Sequence, residues 1–126
     1  MAAFKTFEEI GAWKEARLLV SEIYSLTCRE PFCRDYGLRD QIQRAAVSIG
    51  SNVAEGFERR GNKEFINFLW IAKGSAAEVS SQLYHARDLG YIDDAQFTAI
   101  YSHAKKISAM IFKLISSISD PTRTKL

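Results

Sequence analysis

Apolar residues recur every three or four positions through four stretches of this chain, the spacing that is typical of amphipathic helices. The pattern predicts helices over about residues 7–29, 38–59, 63–89 and 94–119. The first helix is expected to bury Trp13, Ala16, Val20, Ile23, Tyr24 and Thr27. The second is expected to bury Leu38, Ile42, Ala45, Ala46, Ile49, Val53 and Gly56. The third and fourth carry Phe65, Phe68, Leu69, Ala72, Ala76, Val79, Leu83 and Ala86, and Phe97, Ile100, Tyr101, Ala104, Ile107, Ile111, Leu114, Ile115 and Ile118.

Capping residues stand near the ends of these stretches. Thr6 followed by Glu9 predicts a capping box for the first helix, and Asp93 followed by Gln96 predicts the same arrangement for the fourth. Asn62 is expected to cap the third helix and Gly90 to end it in a left-handed conformation.

Four long helices joined by short loops favour an all-α fold, an antiparallel up-and-down four-helix bundle. We expect one domain over residues 1–120, followed by a frayed polar tail at 121–126. The length of 126 residues with 47% hydrophobic residues suffices for a single core.

The composition narrows the class of function. The net charge is only +2, so bulk electrostatics do not indicate a nucleic-acid coat protein. We expect a cytoplasmic chain, because there is no signal-like or membrane-spanning run, with Cys28 and Cys33 as reduced thiols.

Sequence motifs offer little support for catalysis. Neither His85 nor His103 follows a glutamate by three positions, as a di-iron bundle requires, and no phosphate-loop, dinucleotide or hydrolase motif is present. A carboxylate pair from Glu55 and Glu78 is conceivable, but no nucleophile or metal ligand accompanies it. We therefore expect no enzyme, no catalytic residues, no metal and no cofactor.

Two polar stripes flank the predicted core faces of the second and third helices. Such residues could hydrogen-bond across a helix seam or a subunit boundary. The alternative is that both stripes are solvent-exposed helix flanks. The stripe residues are Gln41, Arg44, Ser48, Asn52 and Glu55 on the second helix, and Ser75, Glu78 and Gln82 on the third.

The third helix also carries apolar residues opposite its core face. Ile66, Trp70 and Tyr84 recur there at helical spacing, which predicts contact with a partner, most simply another copy of the chain. The alternative is that the bundle itself buries more of this helix.

Basic residues cluster in two places, at Arg59, Arg60 and Lys63 in the loop after the second helix and at Lys105, Lys106 and Lys113 on the fourth. These clusters predict weak, non-specific binding of RNA or DNA, since no exposed aromatic platform is expected beside them. The function expected from these features is that of a non-enzymatic oligomeric scaffold that binds nucleic acid or a nucleic-acid enzyme. A protein-interaction module without a nucleic-acid role is the alternative.

Several strings resemble the 23S rRNA intervening-sequence protein family: Tyr36–Leu38 (YGL), Gln41–Ile49 (QIQRAAVSI), Ser51–Gly56 (SNVAEG), Lys63–Phe65 (KEF), Phe68–Leu69 (FL) and Ala72–Ser75 (AKGS), with Glu78 and Gln82–Leu83 beyond. The resemblance implies a bundle that assembles into a ring, typically a homopentamer. A relative, the accessory variability determinant of diversity-generating retroelements, resembles a pentamer that binds nucleic acid and reverse transcriptase. Gly50 departs from the family, which usually has proline there, and is expected to loosen the second helix.

Overall fold

The computed structural model describes residues 4–119, which form an antiparallel up-and-down four-helix bundle. Its helices are α1 (Gly11–Thr27), α2 (Tyr36–Glu58), α3 (Asn62–Asp88) and α4 (Asp94–Ser119). Each helix packs against its neighbour in the chain, and α1 also packs against α4. The predicted fold class is confirmed, and within 4–119 there is no strand and no helix apolar and long enough to cross a membrane. The predicted tail at 121–126 lies outside the described residues.

The predicted core is confirmed along α2, α3 and α4, apart from four residues that are only partly buried, Leu38, Phe68, Tyr101 and Leu114. It needs correction along α1. Leu19 is fully buried in α1, whereas the predicted core residue Tyr24 is 45% exposed and Val20 is only partly buried. Leu18, Leu19 and Val20 are consecutive apolar residues, so helical spacing alone does not decide which of them lies on the buried face of α1. The predicted stripe lies along the border between α1 and α2, whereas the residues that are buried, such as Leu19, face the centre of the bundle.

Two predicted caps are wrong. The Thr6 side chain caps nothing, because a short 3-10 turn over Phe7–Glu9 intervenes and α1 begins only at Gly11. Ile10 between them has an extended backbone and a side chain that is only 1% exposed, so its burial in the core interrupts the helix. Asn62 is the first residue of α3, and Gly61 before it occupies the cap position.

Two other predicted helix ends are confirmed. Before α4, the Gln96 N–H donates to Asp93 Oδ1 at 2.7 Å and the Asp93 N–H donates to Gln96 Oε1 at 2.9 Å. Gly90 has a φ of +78° after α3, and the Tyr91 N–H beyond it donates to the Ala86 carbonyl oxygen at 2.9 Å. This hydrogen bond satisfies a carbonyl in the last turn of α3.

The α1–α2 and α3–α4 loops lie at the same end of the bundle and contact each other. Asp35 caps α2 by accepting the Leu38 N–H at 3.1 Å, and its second carboxylate oxygen accepts the Tyr91 hydroxyl at 2.9 Å. The Tyr91 ring also stacks on Phe32, with 5.0 Å between ring centroids. These contacts join the two loops through residues 56 positions apart.

Helices α2 and α3 approach most tightly where Gly56 faces Phe68. A Cβ atom at position 56 would lie 2.5 Å from Phe68 Cβ and 3.2 Å from Phe65 Cδ1. Only glycine therefore fits at this point of the seam. Gly50 differs, because α2 continues through it unbroken and a Cβ there would meet Trp13 Cδ1 at 3.4 Å.

Candidate interaction surfaces

The neutral members of the two polar stripes meet across the seam between α2 and α3. The hydroxyls of Ser48 and Ser75 lie 2.9 Å apart, and Asn52 Nδ2 donates to both the carbonyl and the hydroxyl of Ser48. Two turns away, Gln82 Nε2 donates to Gln41 Oε1 at 3.2 Å. Ser75 and Gln82 are buried, so these bonds satisfy polar groups at a helix contact and fix the register of the two helices.

The charged members of the stripes lie on the rim of this seam and face solvent. Arg44, Glu55 and Glu78 are all exposed, and Glu55 pairs with Arg59 one turn later at 2.9 Å. Across residues 4–119, no group of three or more His, Cys, Asp or Glu side chains is arranged to hold a metal ion. The seam therefore combines a hydrogen-bonded interior with a charged border.

Of the first basic cluster, Arg60 and Lys63 are free cations and Arg59 is not. Arg59 donates to Glu55, which raises the pKa of its guanidinium, and its guanidinium carbon lies 5.1 Å from the Phe68 ring centroid. Arg60 and Lys63 are exposed and have no carboxylate within 4 Å in the described part of the chain. Two of the three cations, Arg60 and Lys63, are therefore free of a carboxylate partner and available to a phosphate.

The three lysines of the second cluster do not form one patch. Lys106 lies 3.6 Å from Glu15 on the α1 side of α4, whereas Lys105 lies over the Tyr101 ring on the α3 side, with Nζ 5.6 Å from the centroid. Lys113 is exposed. Adjacent positions on a helix point about 100° apart, so closeness in sequence overstated their closeness in space.

Exposed aromatic side chains meet across the seam between α3 and α4. Trp70 on α3 is 48% exposed and meets Phe112 on α4, itself 49% exposed, with 6.2 Å between ring centroids. Lys73 Nζ lies 6.0 Å from the Phe112 centroid. Phe112 lies outside the apolar core stripe of α4, so the spacing of that stripe does not indicate it.

The predicted interface residues separate into different surroundings. Ile66 is only partly exposed and packs against the core. Tyr84 is 43% exposed but lies 14 residues beyond Trp70, about 21 Å along the helix. It packs with Phe97 and Tyr101 at centroid distances of 4.8 and 5.5 Å. We define Trp70 with Phe112 as the aromatic ridge.

His103 bridges α1 and α4, a role that its sequence context does not indicate. Its Nε2 lies 2.7 Å from Glu15 Oε1, and its Nδ1 bonds to Glu22. Partial burial opposes protonation of the imidazole, but hydrogen bonds to Glu22 and Glu15 outweigh it and raise its pKa above 6.5. The hydrogen bond to His103 in turn lowers the pKa of Glu15 below 4.5. The seven-residue spacing of Glu15 and Glu22, on one face of a helix, is the signal that could have revealed the bridge.

Both cysteines are free thiols. Cys28 is exposed, and Cys33 is half-buried with its Sγ 3.6 Å from Glu30 Oε2. Burial and the Glu30 carboxylate raise the pKa of Cys33, which lowers its nucleophilicity at neutral pH.

The fold and these surfaces define an all-α bundle with a hydrogen-bonded α2–α3 seam and an exposed aromatic ridge. The chain belongs to the 23S rRNA-intervening sequence protein family, whose model matches residues 8–113, as the sequence resemblance indicates.

A crystal structure supports the fold. It is that of a protein of unknown function from the S23 ribosomal protein family of Bacteroides thetaiotaomicron, superposed with a TM-score of 0.76 and 24% sequence identity. The match covers 82% of this chain and 97% of the other. No curated protein matches the chain.

Proposed function

We propose that this protein is a non-enzymatic helical-bundle scaffold that self-associates through its aromatic ridge and binds nucleic acid weakly through unpaired surface cations. Self-association rests on one observation, the two half-exposed aromatic rings of Trp70 and Phe112 in mutual contact. Adjacent large aromatic side chains on a surface are typical of protein interfaces. The family resemblance favours a ring of identical copies, with five as the expected number.

The polar seam supports a structural role and not turnover. The Ser48 hydroxyl is bonded to Ser75 and Asn52, neither of which is a general base, and Glu55 is bonded to Arg59. A nucleophile needs a base within hydrogen-bond reach, which these partners do not supply. The seam's hydrogen bonds are of the kind that fix helix register.

Light scattering of the wild-type chain is expected to give a multiple of the 14.2 kDa chain mass at micromolar concentration. Trp70→Ser should weaken assembly by about 2 kcal/mol or more per contact, since interface tryptophans often contribute that much. Leu18→Ser is the matched control, because Leu18 is 55% exposed on α1 and lies outside the ridge.

A wild-type mass equal to one chain would reject self-association. Assembly that is unaffected by Trp70→Ser, or equally weakened by Leu18→Ser, would place the interface elsewhere.

Nucleic-acid binding rests on the free cations Arg60 and Lys63 beside the α2–α3 loop. A single chain offers few such groups, so binding by one copy is weak, and assembly would multiply the contacts. The alternative function, a protein-interaction module, uses the same scaffold without these contacts.

Affinity for single-stranded RNA is expected to fall roughly 7- to 50-fold between about 50 and 200 mM salt, as for two to four phosphate contacts with a slope of about 0.7 each. Lys63→Gln should weaken binding and reduce the salt slope by about one. Lys14→Gln, which removes an exposed lysine from α1, should change neither. Absence of binding at the lower salt concentration would favour the protein-interaction module, and salt-insensitive binding would reject the electrostatic mechanism.

A further inference from the structure

Arg87, in the last turn of α3, is a half-buried cation held by aromatic rings. Its guanidinium carbon lies 4.3 Å from the centroid of Phe97 and 5.3 Å from that of Tyr84. Phe97 belongs to the core, whereas Tyr84 is 43% exposed. Stacking of this kind orients the guanidinium plane and leaves its N–H edges available for hydrogen bonds.

Those N–H groups find no acceptor among residues 4–119. Among residues 4–119, no carboxylate lies within 4 Å of Arg87, and no oxygen accepts a hydrogen bond from it. Asp88 and Asp94 are close in sequence, but neither pairs with it. A guanidinium has five donors in a rigid fork, so the N–H groups of Arg87 are available to bind an anion such as phosphate.

A second cation and two phenols lie in the same aromatic cluster. The Tyr84 and Tyr101 rings are 5.5 Å apart, and Lys105 Nζ lies 5.6 Å from the Tyr101 centroid. Lys105 is exposed, and no described carboxylate lies within 4 Å of it. The neighbouring Tyr101 hydroxyl raises the pKa of Tyr84.

We propose that Arg87, Lys105 and Tyr84 form a phosphate-binding site for single-stranded nucleic acid. Arg87 and Lys105 contact a phosphate, and the exposed surface of Tyr84 contacts a base. The inference rests on the proposed nucleic-acid role and assigns it a site away from Arg60 and Lys63. Paired cations beside an accessible aromatic ring are the combination that single-strand binding proteins use, since phosphate is anionic and every base has a stacking face.

Fluorescence anisotropy with a labelled single strand of about 12 nucleotides at about 50 mM salt tests the site. Arg87→Gln is expected to weaken binding about three- to tenfold, as for the loss of one bidentate phosphate contact, and Arg87→Lys by less. Lys105→Gln should weaken binding as well, and because Lys105 is exposed this variant reports on the site even if Arg87→Gln disturbs the fold.

Arg17→Gln is the matched control. Arg17 also lies over an aromatic ring, that of Trp13 at 5.8 Å, but on α1, and its loss changes the net charge equally. If Arg87→Gln and Lys105→Gln bind no worse than Arg17→Gln while the wild type binds, this site is rejected and the proposed nucleic-acid role stands. If the wild-type chain does not bind the strand, both this site and the proposed nucleic-acid role are rejected.

Competition distinguishes the source of the phosphate. Unlabelled single strand is expected to displace the probe at a phosphate concentration at which inorganic phosphate does not. Displacement by inorganic phosphate at the same phosphate concentration would show a general anion site and overturn the assignment to nucleic acid.

Discussion

Gly56→Ala is expected to lower the free energy of unfolding by about 1 to 3 kcal/mol, although alanine forms helices better than glycine. The new methyl group would lie 2.5 Å from Phe68 Cβ and 3.3 Å from Phe68 Cγ. Phe68 Cβ is attached directly to the backbone, so no side-chain rotation relieves the clash. The helices would have to separate near the α2–α3 loop, where the Phe57 and Phe65 rings also meet at 5.9 Å. Urea unfolding followed by circular dichroism measures the loss.

Gly74→Ala provides the control, because a Cβ atom there meets nothing within 4 Å. This substitution in the middle of α3 should raise stability by about 0.5 to 1 kcal/mol through helix propensity alone. A Gly56→Ala variant as stable as Gly74→Ala would show that α2 and α3 are less tightly packed than the distances indicate.

The His103 bridge is expected to stabilise the protein below about pH 6.5 and to lose this contribution as the pH rises. His103 binds its proton more tightly when folded, since its pKa is raised from 6.5, so the folded state holds the extra proton above that pH and loses stability as it titrates. Glu15 sets the lower end of the pH range in which the bridge stabilises the fold. Its pKa is lowered from 4.5, so its contribution is present above about that pH and is lost as the pH falls through the folded value.

His103→Gln should therefore lower the unfolding free energy by about 1 to 2 kcal/mol near pH 6, because glutamine replaces a charged double donor with a neutral amide. The deficit should shrink at about pH 9, where the wild-type imidazole is neutral and cannot donate to both carboxylates. His85→Gln is the control, since His85 is exposed on α3 and takes no part in the bridge. A deficit of the same size at both pH values would show that protonation of His103 contributes nothing.

The helices were predictable from the sequence because each has a broad apolar stripe at helical spacing. Ile42, Ile49 and Val53 on α2 each stand between polar or small residues, so their burial followed from spacing alone. In α1 the consecutive Leu18, Leu19 and Val20 permit several stripes, and only packing against two neighbouring helices selects Leu19. The start of α1 depended on the burial of Ile10, which no local capping rule includes.

The interaction surfaces were less predictable, because they depend on which helix stands beside which. The helical spacing of α3 alone indicates Trp70, but its partner Phe112 lies on another helix, 42 residues away. The Arg59–Glu55 pair is local and could have been predicted from its four-residue spacing. The stacking of Arg87 on Phe97 and the bridging by His103 require the positions of two helices, and neither spacing nor charge count supplies them.

The link between Asp35 and Tyr91 gives the bundle two unequal ends. At one end, the α1–α2 and α3–α4 loops are tied through a hydrogen bond and a stacked ring pair, so both helical hairpins are held together there. At the other, a single tight loop joins α2 to α3, and within residues 4–119 no side-chain hydrogen bond joins the start of α1 to the end of α4. Local opening at the first end must break this hydrogen bond and this ring pair, which act on both hairpins at once. Backbone amides at the helix termini beside Tyr91 should therefore exchange slowly with solvent. Amides at the helix termini of the other end should exchange faster, through fraying.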